Sequence, residues 1–126
     1  MKKIGFIDHY LDNWHANHFP RMIRESAFKD EFEIALAWEE TTPPGKKPLA
    51  EWCREFGVTP ARSLEQVVDE CDVIFILSPD NAERHRPLSD YALRSGKPVG
   101  IDKPFSDKLV DARAMFELAA EFRTPL

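Results

Sequence analysis

An unbroken apolar run, Val73 to Leu77, constrains the fold more than any other feature of the sequence. A strand that is apolar at every position is buried on both faces, which is typical of a parallel sheet covered by helices on each side. An amphipathic helix that ends at Gly96 follows this run, and a second short strand, Pro98 to Ile101, comes next. Strand, helix and strand at this spacing predict a βαβ unit.

A short polar segment follows each of these two strands. Ligands of parallel α/β sheets bind in the crevice outside the carboxyl ends of the strands, so we expect both segments to face one site. The segments are Ser78-Pro79-Asp80-Asn81 and Asp102-Lys103-Pro104.

The rest of the chain alternates between strand and helix patterns. Further strands are predicted at Lys3–Asp8, Phe32–Trp38 and Val58–Ala61, and helices at Trp14–Ala27, Leu49–Phe56, from Ser63 to about Glu70, from Pro87, and at Ser106–Phe122. Residues 80–85 are predicted to form a loop over the site. This alternation predicts an α/β fold, a doubly wound, Rossmann-like parallel sheet with helices on both faces, in one domain over residues 1–126.

The pattern also predicts how individual helices begin, end and pack. Asp12 or Asn13 is expected to cap the first helix, Ser63 opens the third through a capping box, and Gly57 ends the second in a left-handed conformation. The final helix is predicted to begin at Ser106. Its buried stripe is expected to consist of Leu109, Ala112, Phe116, Ala119 and Phe122.

Composition excludes several classes of function. A net charge of −5 argues against a general nucleic-acid or anionic-membrane binder, because those need clustered Lys and Arg. No segment reaches the length of a membrane span or of a signal-peptide core. Cys53 and Cys71 share no motif spacing, so we expect free thiols in a reducing cytoplasm. A small-molecule substrate is the expected partner.

The stretch from Asp72 to Pro104 resembles the N-terminal domain of the Gfo/Idh/MocA oxidoreductases. The likeness rests on a strand followed by Ser-Pro, on His85, on the Ala-Leu-x-x-Gly-Lys-x-Val segment of residues 92–99, and on Asp-Lys-Pro where the family has Glu-Lys-Pro. It continues more weakly from Ser106 to Leu126 and is poor over the first twenty residues.

The resemblance implies an NAD- or NADP-binding Rossmann domain of an enzyme that oxidises a secondary alcohol of a sugar or polyol. Lys103 corresponds to the lysine of the catalytic site, where an ammonium stabilises an alkoxide and burial tunes the lysine for proton transfer. Asp102 keeps the charge of the usual Glu and is available to pair with Lys103. The implied cofactor-site residues of the second half are Ser78, Pro79, Asn81, His85, Asp102 and Pro104. Members also carry a second α/β domain that has no counterpart in these 126 residues, and any homo-oligomer would form through it.

The first βα turn departs from the family pattern. A dinucleotide site uses Gly-x-Gly-x-x-Gly, whereas residues 8–14 read Asp-His-Tyr-Leu-Asp-Asn-Trp, without glycine. Asp8 and Asp12 would place negative charge where the pyrophosphate sits, and Tyr10 and Trp14 would add bulk there. Glu39 or Glu40 would have to bind the ribose hydroxyls. NAD or NADP is therefore expected in a rearranged or weak binding mode.

Three interpretations stay open for residues 8–18. They form a polar turn with capping acids, or hold a cationic or uncharged ligand through Asp8, His9, Tyr10 and Trp14, or hold a metal through Asp8, His9, His15 or His18. The rival function is a degenerate Rossmann module that binds a ligand or partner without dehydrogenase activity. The glycine-free turn favours that rival, and Asp102-Lys103-Pro104 favours the enzyme.

Overall fold

The computed structural model describes all 126 residues and contains one five-stranded sheet. Its strands are β1 (Lys2–Asp8), β2 (Phe32–Glu39), β3 (Thr59–Pro60), β4 (Val73–Ile76) and β5 (Val99–Ile101). They lie in the order β3-β2-β1-β4-β5, and every neighbouring pair is parallel. The predicted doubly wound α/β fold is confirmed.

Five helices cover the two faces of this sheet: α1 (Trp14–Glu25), α2 (Leu49–Phe56), α3 (Leu64–Glu70), α4 (His85–Leu93) and α5 (Leu109–Glu121). An apolar cluster on one face includes Val67, Leu88 and Met115, and we call it the α3–α5 cluster. The opposite face carries the α1–α2 cluster, which includes Ala16 and Trp52. The crevice at the carboxyl ends of the strands is thus held between two packed layers.

Local capping signals were predicted correctly. The Asn13 side chain accepts a hydrogen bond from the Ala16 N–H at 3.0 Å, and Ser63 Oγ accepts from the Gln66 N–H at 3.1 Å. Gly57 ends α2 with a φ of 69°, in the left-handed region that glycine adopts without steric cost. Each signal acts within a few residues, which is why the sequence alone reveals it.

Two predicted helix starts were wrong. A single 3₁₀ turn at Ala82–Arg84 runs directly into α4 at His85, so residues 80–85 are not a free loop. Pro87 still lies in the first turn of α4, where its missing N–H leaves no hydrogen bond unmade. Helix α5 begins at Leu109, and Ser106 instead bonds both the N–H and the carbonyl of Lys108 in a local turn.

The predicted buried stripe of α5 was also wrong in most positions. Met115 and Ala119 face the core, whereas Leu109 is 69% exposed and Phe116 is 56% exposed. Helix α5 packs against α4, and Asp111 pairs with Arg86 of α4 at 2.8 Å. Packing against α4 fixes which side of α5 meets the core. The sequence pattern does not identify that side, because apolar residues lie on several sides of the helix.

Cys53 and Cys71 are both buried and form no disulfide, as the sequence predicted. Burial raises the pKa of each thiol to about 11, so both stay protonated and inert near neutral pH. No helix has the length and apolar character needed to span a bilayer.

Candidate functional site at the carboxyl edge of the sheet

Asp8, the last residue of β1, is fully buried at the centre of the carboxyl edge. One carboxylate oxygen accepts from the Ser78 N–H at 3.0 Å, and the other accepts from Asn13 Nδ2 at 2.8 Å. Loss of hydration raises the pKa of Asp8 to about 7, and the hydrogen bonds from Asn13 and Ser78 offset only part of that effect. Asp8 therefore joins the first turn to the end of β4.

Ser78 has a backbone conformation that few non-glycine residues adopt, with φ at 47°. Its N–H is held by Asp8, and its Oγ donates to the Asn81 carbonyl at 2.9 Å. Such left-handed residues persist where the surrounding contacts determine them, and they cluster at functional sites. Pro79 and Asn81 are half-buried in the same segment.

His85 lies in the core and does not face the crevice. Its Nε2 contacts the Leu77 carbonyl at 2.6 Å and the Ser78 carbonyl at 3.0 Å, and its Nδ1 contacts the Phe105 carbonyl at 3.0 Å. Both ring nitrogens are thus engaged by main-chain oxygens. The histidine of the motif ties the segment after β4 to the segment after β5.

Tyr10 bridges the crevice between the ends of β1 and β4. The strand order reverses at this point, because β2 and β3 lie on one side of β1 whereas β4 and β5 lie on the other. Its hydroxyl donates to the Asp80 carboxylate at 2.6 Å. This hydrogen bond, with smaller contributions from burial and nearby negative charge, raises the pKa of Tyr10 to about 12. The first turn and the β4–α4 segment are therefore linked over the position that a dinucleotide occupies in Rossmann folds.

The acidic residues at the end of β2 are fully engaged by the protein. Glu39 accepts from the Leu11 N–H at 3.1 Å and from the Thr42 hydroxyl. Glu40 accepts two hydrogen bonds from Arg84, at 2.9 and 2.6 Å, and contacts His9 Nδ1 at 2.8 Å. The Arg84 hydrogen bonds hold the pKa of Glu40 below its usual range.

Asp102, which directly follows β5, lies between the main chain of Lys103 and the side chain of His15. One oxygen of Asp102 accepts from the Lys103 N–H at 2.8 Å, and the other forms a short hydrogen bond with His15 Nδ1 of α1. The carboxylate therefore pairs with His15 and not with the ammonium of Lys103. The Lys103 side chain is exposed and forms no ion pair, and Pro104 beside it is also exposed.

A cavity of about 170 Å³ opens next to Asp102. Apart from Asp102, its walls are largely apolar and come from Phe19, Phe75, Leu77, Gly100 and Ile101. The rings of Phe19 and His15 stack with centroids 5.2 Å apart. The cavity is therefore bordered by two residues that contact His15.

The structure assembles no group of three or more His, Cys, Asp or Glu side chains able to hold a metal. His9 and His15 have separate carboxylate partners, and His18 contacts the Trp14 carbonyl at 2.6 Å. The residues proposed as metal ligands therefore do not converge on one point. The contacts of residues 8–13 are those of a polar turn followed by a helix cap.

Sequence reasoning missed three side chains that shape the site. His15 was considered as a metal ligand, Asp80 was expected only to lie in a segment that faces the site, and Arg84 was given no role. Nothing local to Arg84 indicates that it reaches the end of β2.

Residues 12–124 match a family model described as "Oxidoreductase family, NAD-binding Rossmann fold", that of the Gfo/Idh/MocA proteins. The match spans most of the chain. The chain belongs to the Gfo/Idh/MocA oxidoreductase family. The match is to the NAD-binding Rossmann domain of this family.

Solved structures with the Gfo/Idh/MocA type of Rossmann domain resemble the chain in fold. An NAD-binding oxidoreductase from Klebsiella pneumoniae superposes with a TM-score of 0.77 at 18% identity, over 98% of this chain and 32% of that one. Biliverdin reductase from Synechocystis sp. PCC 6803, in complex with biliverdin and NADP⁺, gives 0.76 at 19%, over 98% and 36%. UDP-N-acetylglucosamine 3-dehydrogenase from Acidithiobacillus ferrooxidans gives 0.72 at 19%, over 96% and 34%. The chain spans about a third of the length of each.

The Gfo/Idh/MocA cofactor does not fit the first turn of this chain in the standard pose. The turn carries the buried Asp8 carboxylate in place of bare glycine backbone, and the N–H of Leu11 is already bonded to Glu39. Asn13 caps the start of α1, and the Tyr10–Asp80 bond crosses the crevice. A nucleotide would have to rearrange these contacts in order to bind.

Proposed function

We propose that residues 1–126 are the nucleotide-binding-type domain of an oxidoreductase that oxidises a secondary alcohol of a sugar or polyol with NAD or NADP, held in a rearranged mode. Membership of the Gfo/Idh/MocA family supports this function. The observation that carries it is the free Lys103 ammonium at the carboxyl end of β5. One structural relative is named as a sugar-nucleotide 3-dehydrogenase, which agrees with the substrate class.

Lys103 is proposed as the catalytic residue that polarises the substrate hydroxyl. Because Asp102 is engaged by His15, the ammonium keeps its hydrogen-bond donors for a ligand. A positive charge beside the reacting oxygen stabilises the alkoxide that forms when the hydroxyl loses its proton. A second domain is proposed to close over this edge of the sheet and to supply the remaining substrate contacts and any homo-oligomer interface. A cytoplasmic location is part of this proposal, and the two free thiols agree with it.

Calorimetric titration of the full chain with NAD and with NADP tests the cofactor. We expect one of the two to bind and to raise the melting temperature as its concentration exceeds its dissociation constant. Lys103→Ala is expected to keep nucleotide binding and to lose turnover on a panel of polyols and sugars. Lys108→Ala, which removes another exposed lysine of the same segment, serves as the control. Binding of neither nucleotide, or unchanged turnover of Lys103→Ala, overturns the proposal.

The hydrogen bonds across the crevice favour a second candidate function. Tyr10–Asp80 and Glu40–Arg84 both fasten the β4–α4 segment to loops on the other side of the site. A crevice closed by its own side chains suits a Rossmann module that binds a ligand or a partner and carries out no dehydrogenation. A thermal-shift scan with NAD, NADP and divalent metals separates the two, because this candidate requires that neither nucleotide stabilises the chain.

A further inference from the structure

His15 and Asp102 form a pair to which the proposed function assigns no chemical step. They are 87 residues apart in sequence, and the fold brings them together where the start of α1 meets the end of β5. The side chains are 18% and 10% exposed, so the pair is largely shielded from bulk water. In such surroundings a hydrogen bond to a charged group is stronger and better oriented than at a free surface.

The contact determines which nitrogen of His15 carries the proton. An ionised carboxylate can only accept hydrogen bonds, so the neutral ring must donate through Nδ1, and Nε2 keeps its lone pair. Nε2 has no hydrogen-bond partner in the protein. Every buried side-chain nitrogen or oxygen atom of the chain does have a hydrogen-bond partner, so Nε2 is not one of the buried atoms. Nε2 must therefore reach solvent.

Asp102 also links His15 to Lys103. Its second oxygen accepts from the Lys103 N–H at 2.8 Å, so one carboxylate fixes both residues. Asp102 and Phe19, which both contact His15, line the cavity of about 170 Å³. Its apolar walls suit the C–H face of a small alcohol whose hydroxyl is directed to the polar rim.

We propose that His15 is the proton acceptor of this site and that Asp102 is the residue that positions it. In the step, the O–H bond of the substrate hydroxyl breaks and an N–H bond forms at His15 Nε2. The electron pair stays on the alkoxide oxygen beside the Lys103 ammonium, and the Asp102 carboxylate balances the imidazolium. This inference rests on the proposed function, to which it adds the group that removes the proton.

The orientation of the ring is tested without any turnover, by NMR of the ¹⁵N-labelled full chain at a pH where the ring is neutral. The His15 signals are identified by their loss in His15→Gln. We expect a protonated Nδ1 and a bare Nε2. Asp102→Asn is expected to reverse this, because the amide donates to Nδ1 and moves the proton to Nε2. Asp107→Asn removes an exposed charge from the same segment and should leave the spectrum unchanged.

The chemical role is tested with His15→Gln, whose amide can still donate to Asp102 but has no basic nitrogen. If His15 only fastened α1 to β5, this variant would keep activity. A proton acceptor instead predicts that kcat falls by roughly 10²- to 10⁴-fold with KM nearly unchanged. A protonated Nε2 in the wild-type chain, or full activity of His15→Gln, overturns the inference. If the wild-type chain shows no turnover, the proposed function and the catalytic step are both overturned. The NMR result is independent of turnover, so it still shows whether Asp102 orients the His15 ring.

Discussion

The carboxyl group of Asp8 couples the candidate site to the stability of the fold. Its pKa rises from 3.8, the ordinary value, to about 7 in the folded chain, mainly because burial penalises the charged form. Between these two values the folded chain binds more protons than the unfolded chain. The free energy of unfolding therefore falls as the pH rises through this window. The stabilisation that comes from protonated Asp8 is complete only at pH values below the window.

Asp8→Asn should remove this pH dependence. Urea unfolding at about pH 5 and about pH 8 is expected to show that the wild-type chain loses roughly 3 kcal/mol more than the variant over this interval. Asp107→Asn, which replaces an exposed acid, should keep the wild-type slope. Equal slopes in the wild-type chain and in Asp8→Asn would show that Asp8 does not titrate in this window.

Gly5 is required by packing and not by backbone conformation. A Cβ atom at this position in β1 would lie 2.3 Å from Val67 Cγ1 of α3 and 3.0 Å from Cys71 Sγ. Gly5→Ala is expected to cost about 1–3 kcal/mol of unfolding free energy, as overpacked cores do. Gly100→Ala is the matched control, because its Cβ would meet Phe75 at an ordinary 3.5 Å. Chemical unfolding of both variants checks this, and equal stabilities would contradict it.

At the scale of whole elements, the β1–α1 turn and the β4–α4 segment are held together by Tyr10 and Asp80. If a nucleotide enters between them, the free energy of breaking this bond lowers its apparent affinity. Tyr10→Phe is therefore expected to tighten NAD or NADP binding by about fivefold, the equivalent of about 1 kcal/mol. Tyr91→Phe breaks a similar bond to Asp69, far from the crevice, and should have no effect. Weaker binding by Tyr10→Phe in calorimetry would show that the hydroxyl contacts the nucleotide.

Elements whose signals are local were predictable from the sequence. The apolar run of β4, the Asn13 and Ser63 caps and the left-handed Gly57 each depend on a few adjacent residues. The orientation of α5 was not predictable, because packing against α4 determines which of its several apolar sides faces the core. The location of the candidate site at the carboxyl edge was predictable, because it depends only on where the strands end.

The partners within the site could not be derived from the sequence. Asp8 reaches the Ser78 N–H across 70 residues, and His15 reaches Asp102 across 87. Such contacts depend on how α1 is rotated against the sheet, which no local pattern encodes. The motif around His85 was identified, yet its ring turned out to bind three main-chain carbonyls.

For the whole molecule, the two apolar clusters are separated by the sheet but share its central strands. Within β1, Phe6 belongs to the α1–α2 cluster and Ile7 to the α3–α5 cluster. Within β4, Ile74 belongs to the α3–α5 cluster, whereas Phe75 stacks on Phe6 with ring centroids 5.9 Å apart. Loss of either cluster would expose one face of both strands, so the two halves are expected to unfold together.

Leu93→Ala tests this coupling from the α3–α5 side, where Leu93 is completely buried in α4. The cavity should cost about 2–5 kcal/mol. In a background with Trp14 and Trp38 replaced by Phe, the remaining Trp52 reports on the opposite, α1–α2 cluster. Because the central strands are shared, Trp52 fluorescence and far-UV circular dichroism should shift to the same lower urea midpoint. Leu109→Ala, at an exposed leucine of α5, should change stability by less than about 0.5 kcal/mol. If Trp52 keeps its original midpoint while the dichroism shifts, the two faces of the sheet unfold independently.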